Sequence, residues 1–416
     1  MENGHESRTL VVLETETAQV LPAPLDRRLV WMMAVACAFS IANLYYVQPL
    51  LALMGQSFRL SVNQIGGVAT LMQLGFASGL LLVVPLGDRY PRRTLIVSLL
   101  VVVTLALLLV ATSPTISVLS TAGFILGFAT VVPQLLVPLA ASQAAPFERG
   151  RVVGTVMSGL LIGILLARVV SGMIGALFGW RAVYWSAAVL MIVLALVLRF
   201  FLPADRQRST MSYGQLLRSL GSLLRTELVL REAGIFYALS FGAFSAFWVT
   251  LTFFLQTPPY HYGSAVAGLF GLVGVVGALS ASIVGRLADR FPVRSATGIA
   301  LLIVLLSFFC MWLIGYWLWG LILGVILLDL GTQAVHVSNQ TRIYSLNPDA
   351  RNRLNTVYMV TGFIGGALGS FLGTWGWSLA GWNGVCSVGS LMLAAALAVY
   401  IINSKCMARK EAERAL

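Results

Sequence analysis

Long apolar stretches alternate with short polar connections along nearly the whole chain beyond residue 27. A helix needs about 20 apolar residues to cross the hydrocarbon core of a bilayer. Twelve stretches reach this length, over roughly 29–54, 63–87, 94–112, 117–141, 152–177, 182–202, 232–256, 264–287, 295–314, 317–341, 354–375 and 380–402. Because most connections are very short, neighbouring helices run antiparallel. The pattern predicts an all-α membrane protein with twelve transmembrane helices.

Composition supports a membrane protein over a soluble one. Hydrophobic residues make up 58% of the 416 residues and charged residues 10%, whereas soluble domains carry about 25% charged residues. The net charge of +12 comes mainly from arginines in short clusters between the apolar runs. This distribution is typical of residues that flank a membrane, so the expected partner is the lipid bilayer and not a nucleic acid.

The arginines also predict the orientation. With the N-terminus inside, only Arg59 and Arg181 fall on the outer side, and Arg168 lies within a helix. Under the positive-inside rule both termini are then cytoplasmic, and we expect a multi-pass protein of the cytoplasmic (inner) membrane. Residues 1–27 lack the basic region of a signal peptide and are expected to form a disordered cytoplasmic tail, with a second cytoplasmic tail at 403–416.

One connection is long. Residues 203–231 contain leucines at helical spacing between arginines, which predicts an amphipathic helix on the inner membrane surface. This segment separates an N-terminal bundle at 28–202 from a C-terminal bundle at 232–402, and we interpret it as a cytoplasmic linker.

Several kinds of chemistry have no support in the sequence. The four cysteines form no CxxC pair, so neither a disulfide framework nor a metal site is indicated. A phosphate-binding GxxxxGK motif is absent, which excludes an ATP-driven pump, and GxSxG and HExxH are absent too. We therefore predict no catalytic residue and no cofactor, and a membrane-embedded enzyme is the rival class.

A charged phrase occurs twice. Asp88-Arg89-Tyr90-Pro91 reappears as Asp289-Arg290-Phe291-Pro292, and Gly179-Trp180 reappears as Gly381-Trp382. These matches fall at equivalent loops of the two bundles. The chain therefore reads as two six-helix halves of the same orientation, related by a parallel repeat.

These motifs resemble the major facilitator superfamily, whose loop between helices 2 and 3 carries Asp-Arg followed by basic residues. Here Arg92 and Arg93 follow Asp88-Arg89, and Pro91 replaces a glycine of the signature. Gly154 and Gly163 resemble the fifth-helix motif of the drug:proton antiporter-like branch, although Arg168 stands where that motif has proline.

The resemblance implies that the charged phrases gate the cytoplasmic face. Asp88 would pair with helix 11 and Asp289 with helix 5, helped by Arg89, Arg92, Arg93 and Arg290. Such pairs would hold the inner face shut in one state and break in the other. The alternative is that these charges only fix the topology; we favour the gate.

Asp329 is the first candidate for a functional charge inside the membrane, where charges are costly. Gln333, His336 and Gln340 follow it at i+4, i+7 and i+11 on one helix face. This stripe predicts either a proton relay or substrate contact, or a structural row of hydrogen bonds. We favour the first role for Asp329 and the structural one for His336.

Arg168 is the second such charge, and its depth differs from that of Asp329 by only about 5 Å. The two side chains could pair across the halves, Arg168 could meet an anionic substrate, or Arg168 could be structural.

The resemblance further implies that helices 1, 4, 7 and 10 surround a central cavity. In helix 1, Asn43 and Tyr46 share one face and Tyr45 and Gln48 another, and one of these pairs should line the cavity. Helix 4 contributes Gln134, which lies between two prolines.

The function that follows is secondary active transport by alternating access. We rank proton-antiport efflux first and proton-coupled uptake of a small organic metabolite second. Few charges lie inside the membrane, so the expected substrate is a small hydrophobic or weakly polar organic compound, with protons as the coupling ion and a monomer as the functional unit.

Overall fold

The computed structural model describes residues 25–203, 212–274, 293–347 and 350–415, with side chains up to Ser404. Within these ranges the chain is almost entirely helical and contains no strand. Ten helices there are long and apolar enough to cross a membrane, and the last of them, Arg351–Ser404, has the length of two spans. A further apolar helix is described over Ser264–Gly274. The predicted all-α membrane fold is therefore confirmed.

The spanning helices are numbered in chain order. They are α1 Arg27–Phe58, α2 Val62–Asp88, α3 Arg92–Ala111, α4 Ile116–Gln143, α5 Arg149–Phe178, α6 Trp180–Phe201, α7 Leu228–Gln256, α8 Ser264–Gly274, α9 Val293–Ile314, α10 Leu318–Tyr344, α11 351–379 and α12 382–415. Ala380 and Gly381 leave the helical conformation and separate α11 from α12, and Gly381 has a positive φ of 55°.

Proline interrupts two of the helices where they meet the interior. In α1 the helix breaks at Tyr46, three residues before Pro49, and in α4 it breaks just before Pro133. Proline has no N–H to donate to the preceding turn, so the helical hydrogen-bond ladder is lost locally. The breaks lie next to the polar side chains of Gln48 and Gln134.

The segment between the halves contains a helix over Tyr213–Thr226, which we call the linker helix. Its Tyr213 hydroxyl donates to the carbonyl of Leu82 at 2.8 Å, and its Leu216 and Leu220 are buried. These two leucines face the interior of the protein, whereas the sequence had suggested a helix lying on the membrane surface. The burial of these leucines removes apolar side chains from water and so stabilises the position of the linker helix.

A buried carboxylate at the start of α7 joins four helices of the C-terminal half. Glu232 accepts hydrogen bonds from Arg294 of α9 at 2.9 Å, from Arg342 of α10, and from Asn403 of α12 at 3.3 Å. Sequence analysis missed this cluster, since nothing in the local sequence shows that three distant helix ends converge on Glu232. Two arginines compensate the charge of Glu232, and this attraction offsets the free-energy cost of removing the carboxylate from water.

Helices α7 and α11 pack closely through small residues. Gly365 faces the backbone of Ala238, and Gly369 faces the backbone of Gly242. A Cβ at Gly369 would collide with the carbonyl oxygen of Gly242. In a membrane such close backbone approach supplies much of the attraction between helices, so this contact fixes α11 against α7.

We expect Gly369→Ala to destabilise the protein by about 1–3 kcal/mol, because the new methyl group overpacks a contact that cannot open without moving a helix. Thermal unfolding in detergent measures the effect. Gly154→Ala is the matched control, since a Cβ at Gly154 meets no atom within 4 Å. Equal melting temperatures for the two variants would contradict the prediction.

Candidate transport site

A cavity of about 1210 Å³ lies between the two halves. It extends from Arg168 and Asp329, in the middle of α5 and α10, to the helix ends that carry Asp88, Arg92 and Arg353. Helices α1, α2, α4, α5, α7, α10 and α11 all contribute to its wall, and Leu216 and Leu220 of the linker helix lie at its mouth. The cavity is therefore built from both halves and the linker together.

The opposite end of the bundle is closed by contacts between the halves. Hydrogen bonds cross this seam at Gln56–Gln256 (3.2 Å), Thr252–Pro49 (3.4 Å), Ser264–Gly172 (3.2 Å) and Gln73–Ser370 (2.7 Å). Gly172 of α5 and Gly268 of α8 also meet backbone to backbone. The cavity consequently has a mouth at the Asp88 end and a blind end near Arg168.

Arg168 occupies the blind end. Its side chain is only 1% exposed, and its Nε donates to Gln48 Oε1 at 2.7 Å. The guanidinium carbon lies 3.9 Å from the centroid of the Trp248 ring, with Tyr45 and Phe244 farther off at 5.2 and 5.8 Å. Its Nη2 is buried and has no hydrogen-bond partner in the part of the chain that the structure describes. The arginine is held by an amide and an aromatic face, and one donor remains free.

Asp329 lies on the facing wall. It is 6% exposed, and its buried Oδ2 has no hydrogen-bond partner within the described ranges. A Cβ at Gly274 of α8 would lie 3.2 Å from this oxygen, so the glycine lets α8 approach the carboxyl group closely. Asp329 and Arg168 are close enough for their charges to interact, yet the ion pairs found among the described residues do not include this one.

The polar stripe of α10 faces the cavity along its length, since Asp329, Gln333, His336 and Gln340 all line it. The His336 ring packs 4.8 Å from the ring of Tyr237, and its Nδ1 lies 3.4 Å from the hydroxyl of Tyr358. The structure thus brings together the four residues that share a face in the sequence.

Gln340 is tied into the mouth. Its amide nitrogen donates to Tyr344 Oη at 3.1 Å and to Asn355 Oδ1 at 3.2 Å. The first bond lies within α10, and the second links α10 to α11 at the end of the stripe nearest the mouth.

Of the two candidate faces of α1, the one with Tyr45 and Gln48 points toward the site. Tyr45 lines the cavity, and Gln48 holds Arg168. Asn43 instead donates to the carbonyl oxygens of Phe39 and Ser40 and contacts Met191 of α6. Tyr46 is buried outside the cavity wall, while Gln134 of α4 belongs to that wall.

The charged phrase after α2 lies at the open mouth. Asp88 forms an ion pair with Arg92 at 3.4 Å, and Arg93 donates to the carbonyl of Arg199. Arg89 is exposed. Among the described residues Asp88 has no ion pair with α11. The expected pair belongs to the state with the inner face shut, so the gate stays a prediction. Asp289 and Arg290 lie outside the described residues.

A helical membrane bundle with one central cavity, open at one end and sealed at the other, is the architecture of a transporter. The sequence model of the Major Facilitator Superfamily matches residues 33–370. The chain belongs to this superfamily. It is a multi-pass membrane transporter and not an enzyme.

Individual relatives agree with this assignment. The chain is 43% identical over 376 residues to the Uncharacterized transporter YgaY of Escherichia coli O157:H7, which covers 90% of this chain and 95% of that one. It is 38% identical to the Probable transporter SCO4007 of Streptomyces coelicolor, with 87% and 84% covered.

A solved structure shares the fold. A bacterial homolog of the human lysosomal transporter Spinster, in an inward-facing and unoccupied conformation, superposes with a TM-score of 0.74 at 14% identity. The match covers 91% of this chain and 96% of that one.

We expect the effects of Arg168→Ala and Asp329→Asn to be non-additive. Each single change leaves one buried charge uncompensated, while the double variant leaves none. Thermal unfolding of the substrate-free protein should give a coupling energy of about 0.5–3 kcal/mol in a double-mutant cycle. Strict additivity would show that the two charges act independently.

Proposed function

We propose that the protein is a proton-coupled secondary transporter of small organic compounds that works by alternating access. The observation that carries this proposal is the pair of unsatisfied buried groups, Arg168 Nη2 and Asp329 Oδ2, at the blind end of a cavity between two halves. Buried polar groups in proteins are nearly always hydrogen-bonded. Among the described residues Thr332 Oγ1 of the same cavity wall is a third exception, and unbonded polar groups on residues that line one cavity support a site that completes its bonds with a ligand.

Asp329 is the proton carrier in this proposal. A carboxyl group can be neutral or charged, and in an apolar site the two forms favour different surroundings. Protonation removes the attraction between Asp329 and Arg168 and so changes how α10 and α5, one from each half, are held together. Proton binding is thereby coupled to the relative position of the halves.

The conformation described here is the one open to the cytoplasm. We infer this from the arginine-rich helix ends at the cavity mouth, which the positive-inside rule assigns to the inner side of the cytoplasmic membrane. In the cycle, the N-terminal half (28–202) and the C-terminal half (232–402) rock about the site, with 203–231 as the linker. One chain contains the whole cavity, so a monomer suffices.

The direction of transport depends on how proton and substrate share the site. If they exclude one another, they travel in opposite directions, and the protein is the efflux antiporter that ranked first from the sequence. If they bind together, they travel in the same direction, and the protein is an uptake symporter. Transport in inverted vesicles under an imposed pH gradient separates the two.

We expect Asp329→Asn to abolish accumulation driven by a pH gradient while leaving downhill exchange of the same compound measurable. The asparagine cannot release or accept the coupling proton but keeps the side-chain volume. A panel of small organic compounds in vesicles, with and without a protonophore, is the measurement. Asp329→Glu is the matched control and should retain part of the proton coupling. Undiminished gradient-driven transport by Asp329→Asn would refute the role of this residue.

We expect Asp88→Asn to reduce transport without affecting membrane insertion. If Asp88 helps to hold the mouth shut in the opposite state, its loss shifts the population toward the open form described here. Labelling of a single cysteine placed at the mouth should then become faster than in the parent protein. If both transport and labelling stay at parental values, the charge serves only topology.

A further inference from the structure

The guanidinium of Arg168 is the group from which the substrate class can be inferred. It carries a fixed positive charge, lies at the blind end of a cavity, and contacts one neutral amide and one aromatic face. No carboxylate pairs with it among the described residues. Charges buried in protein are normally paired, because their removal from water is costly. The Nη2 donor, which is unbonded among the described residues, marks the position at which an anionic acceptor would bind.

The cavity as a whole carries excess positive charge. Four arginines and two aspartates line it, and the arginines Arg92, Arg149 and Arg353 lie at or toward the mouth. A concave surface lined by one sign of charge concentrates ligands of the opposite sign. The excess positive charge therefore attracts an anion into the cavity, at whose blind end Arg168 lies.

The wall around Arg168 is aromatic and apolar. Tyr45 and Phe244 line the cavity beside the guanidinium, and Trp248 stacks on it. Aromatic faces bind planar or hydrophobic groups well, but they cannot replace a carboxylate as the acceptor of a hydrogen bond from the guanidinium N–H. The site therefore suits a ligand with one charged end and an apolar or aromatic body.

We propose that the substrate is an organic monoanion, a carboxylate with a hydrophobic or aromatic body, whose charged end binds Arg168 and whose binding requires Asp329 to be protonated. The inference rests on the proposed function and names the substrate class and stoichiometry of the same site. An ionised Asp329 already offsets the charge of Arg168 and repels a second anion. A protonated Asp329 leaves the arginine uncompensated, and the substrate then supplies the counter-charge.

The charge balance sets the direction. Substrate carboxylate and proton enter the site together, one on Arg168 and the other on Asp329, so the loaded site carries the same net charge as the empty one. The two species then cross the membrane as a neutral pair. This is symport, and for this class of substrate it replaces the antiport ranked first from the sequence.

Other ionisable groups around Asp329 are few. On α10 itself, His336 lies two turns away. The other helices of the site contribute one group each, namely Tyr45 from α1, Arg168 from α5, Tyr237 from α7 and Tyr358 from α11. Helix α9 meets α10 near this level through Ala300 and Val304, and α8 approaches through Gly274. Among the residues that the structure describes, His336 is therefore the neighbour that could take up a proton in place of Asp329 near neutral pH.

The test is calorimetric binding to the purified full-length protein. The probes are matched sets of carboxylate, primary amide and amine on phenyl, naphthyl and octyl bodies. We expect at least one carboxylate to bind at least about tenfold more tightly than its amide and its amine, because only it forms a charge-assisted bond. If no carboxylate is preferred over its amide, the proposed substrate class is wrong.

Variants locate the binding group. Arg168→Gln should weaken carboxylate binding by at least about 30-fold, while Arg168→Lys keeps part of it. Arg181→Gln is the matched control: Arg181 also stacks on a tryptophan, with 4.2 Å to the Trp180 ring centroid, but donates to Ser113 and lies outside the cavity wall. Equal losses in Arg168→Gln and Arg181→Gln would overturn the assignment.

Proton uptake is read from binding heats in buffers of different ionisation enthalpy. We expect about one proton taken up per carboxylate in the parent protein above the pH at which Asp329 ionises, and none in Asp329→Asn. If the proton uptake disappears in His336→Gln but persists in Asp329→Asn, the coupling proposed here is refuted.

The outcomes separate the two proposals. If the parent protein does not prefer carboxylates but its gradient-driven transport still depends on Asp329, only the proposed substrate class is rejected. Loss of gradient-driven transport in the parent protein rejects the proposed function itself.

Discussion

A single positive charge in an apolar interior organises the site. Removing the Arg168 guanidinium from water costs free energy. The contacts with one amide, one aromatic face and the nearby but unbonded Asp329 offset only part of that cost. Such a charge is stable only while something negative can approach it. The protonation state of Asp329 and a ligand bound in the cavity would therefore both act on Arg168. Protonation of Asp329 would thus change the interaction between α10 and α5, which belong to opposite halves.

The surrounding packing is arranged to leave that group accessible from one side. Gly172 of α5 meets Gly268 of α8 backbone to backbone at the sealed end, and within the C-terminal half Gly369 lets α11 pack directly on α7. Glu232 joins the ends of α7, α9, α10 and α12, which makes the C-terminal half a coherent body at its mouth end. Rigid halves with a polar centre between them are what rocking motion about a fixed site requires.

The sequence predicted the helices well because apolar length is a strong signal: the predicted 295–314 and 317–341 lie within about three residues of Val293–Ile314 and Leu318–Tyr344. The α10 stripe was also predictable, since helical spacing alone places Asp329, Gln333 and His336 on one face. The choice between the two faces of α1 was not, because it depends on how α1 is rotated against α5 and α6. Nor were the Glu232 cluster and the Trp248–Arg168 stack, which join helices distant in the chain and leave no local pattern.

The linker helix has a consequence for selectivity. Leu216 and Leu220 form part of the mouth, so the connection between the halves also shapes the entrance that every compound must pass. Substitutions in a connecting segment would ordinarily have little effect on function. Here they would change the size and hydrophobicity of the cavity mouth. A change of side chain at Leu216 or Leu220 would thus alter which compounds enter the cavity without altering the buried groups of Arg168 and Asp329.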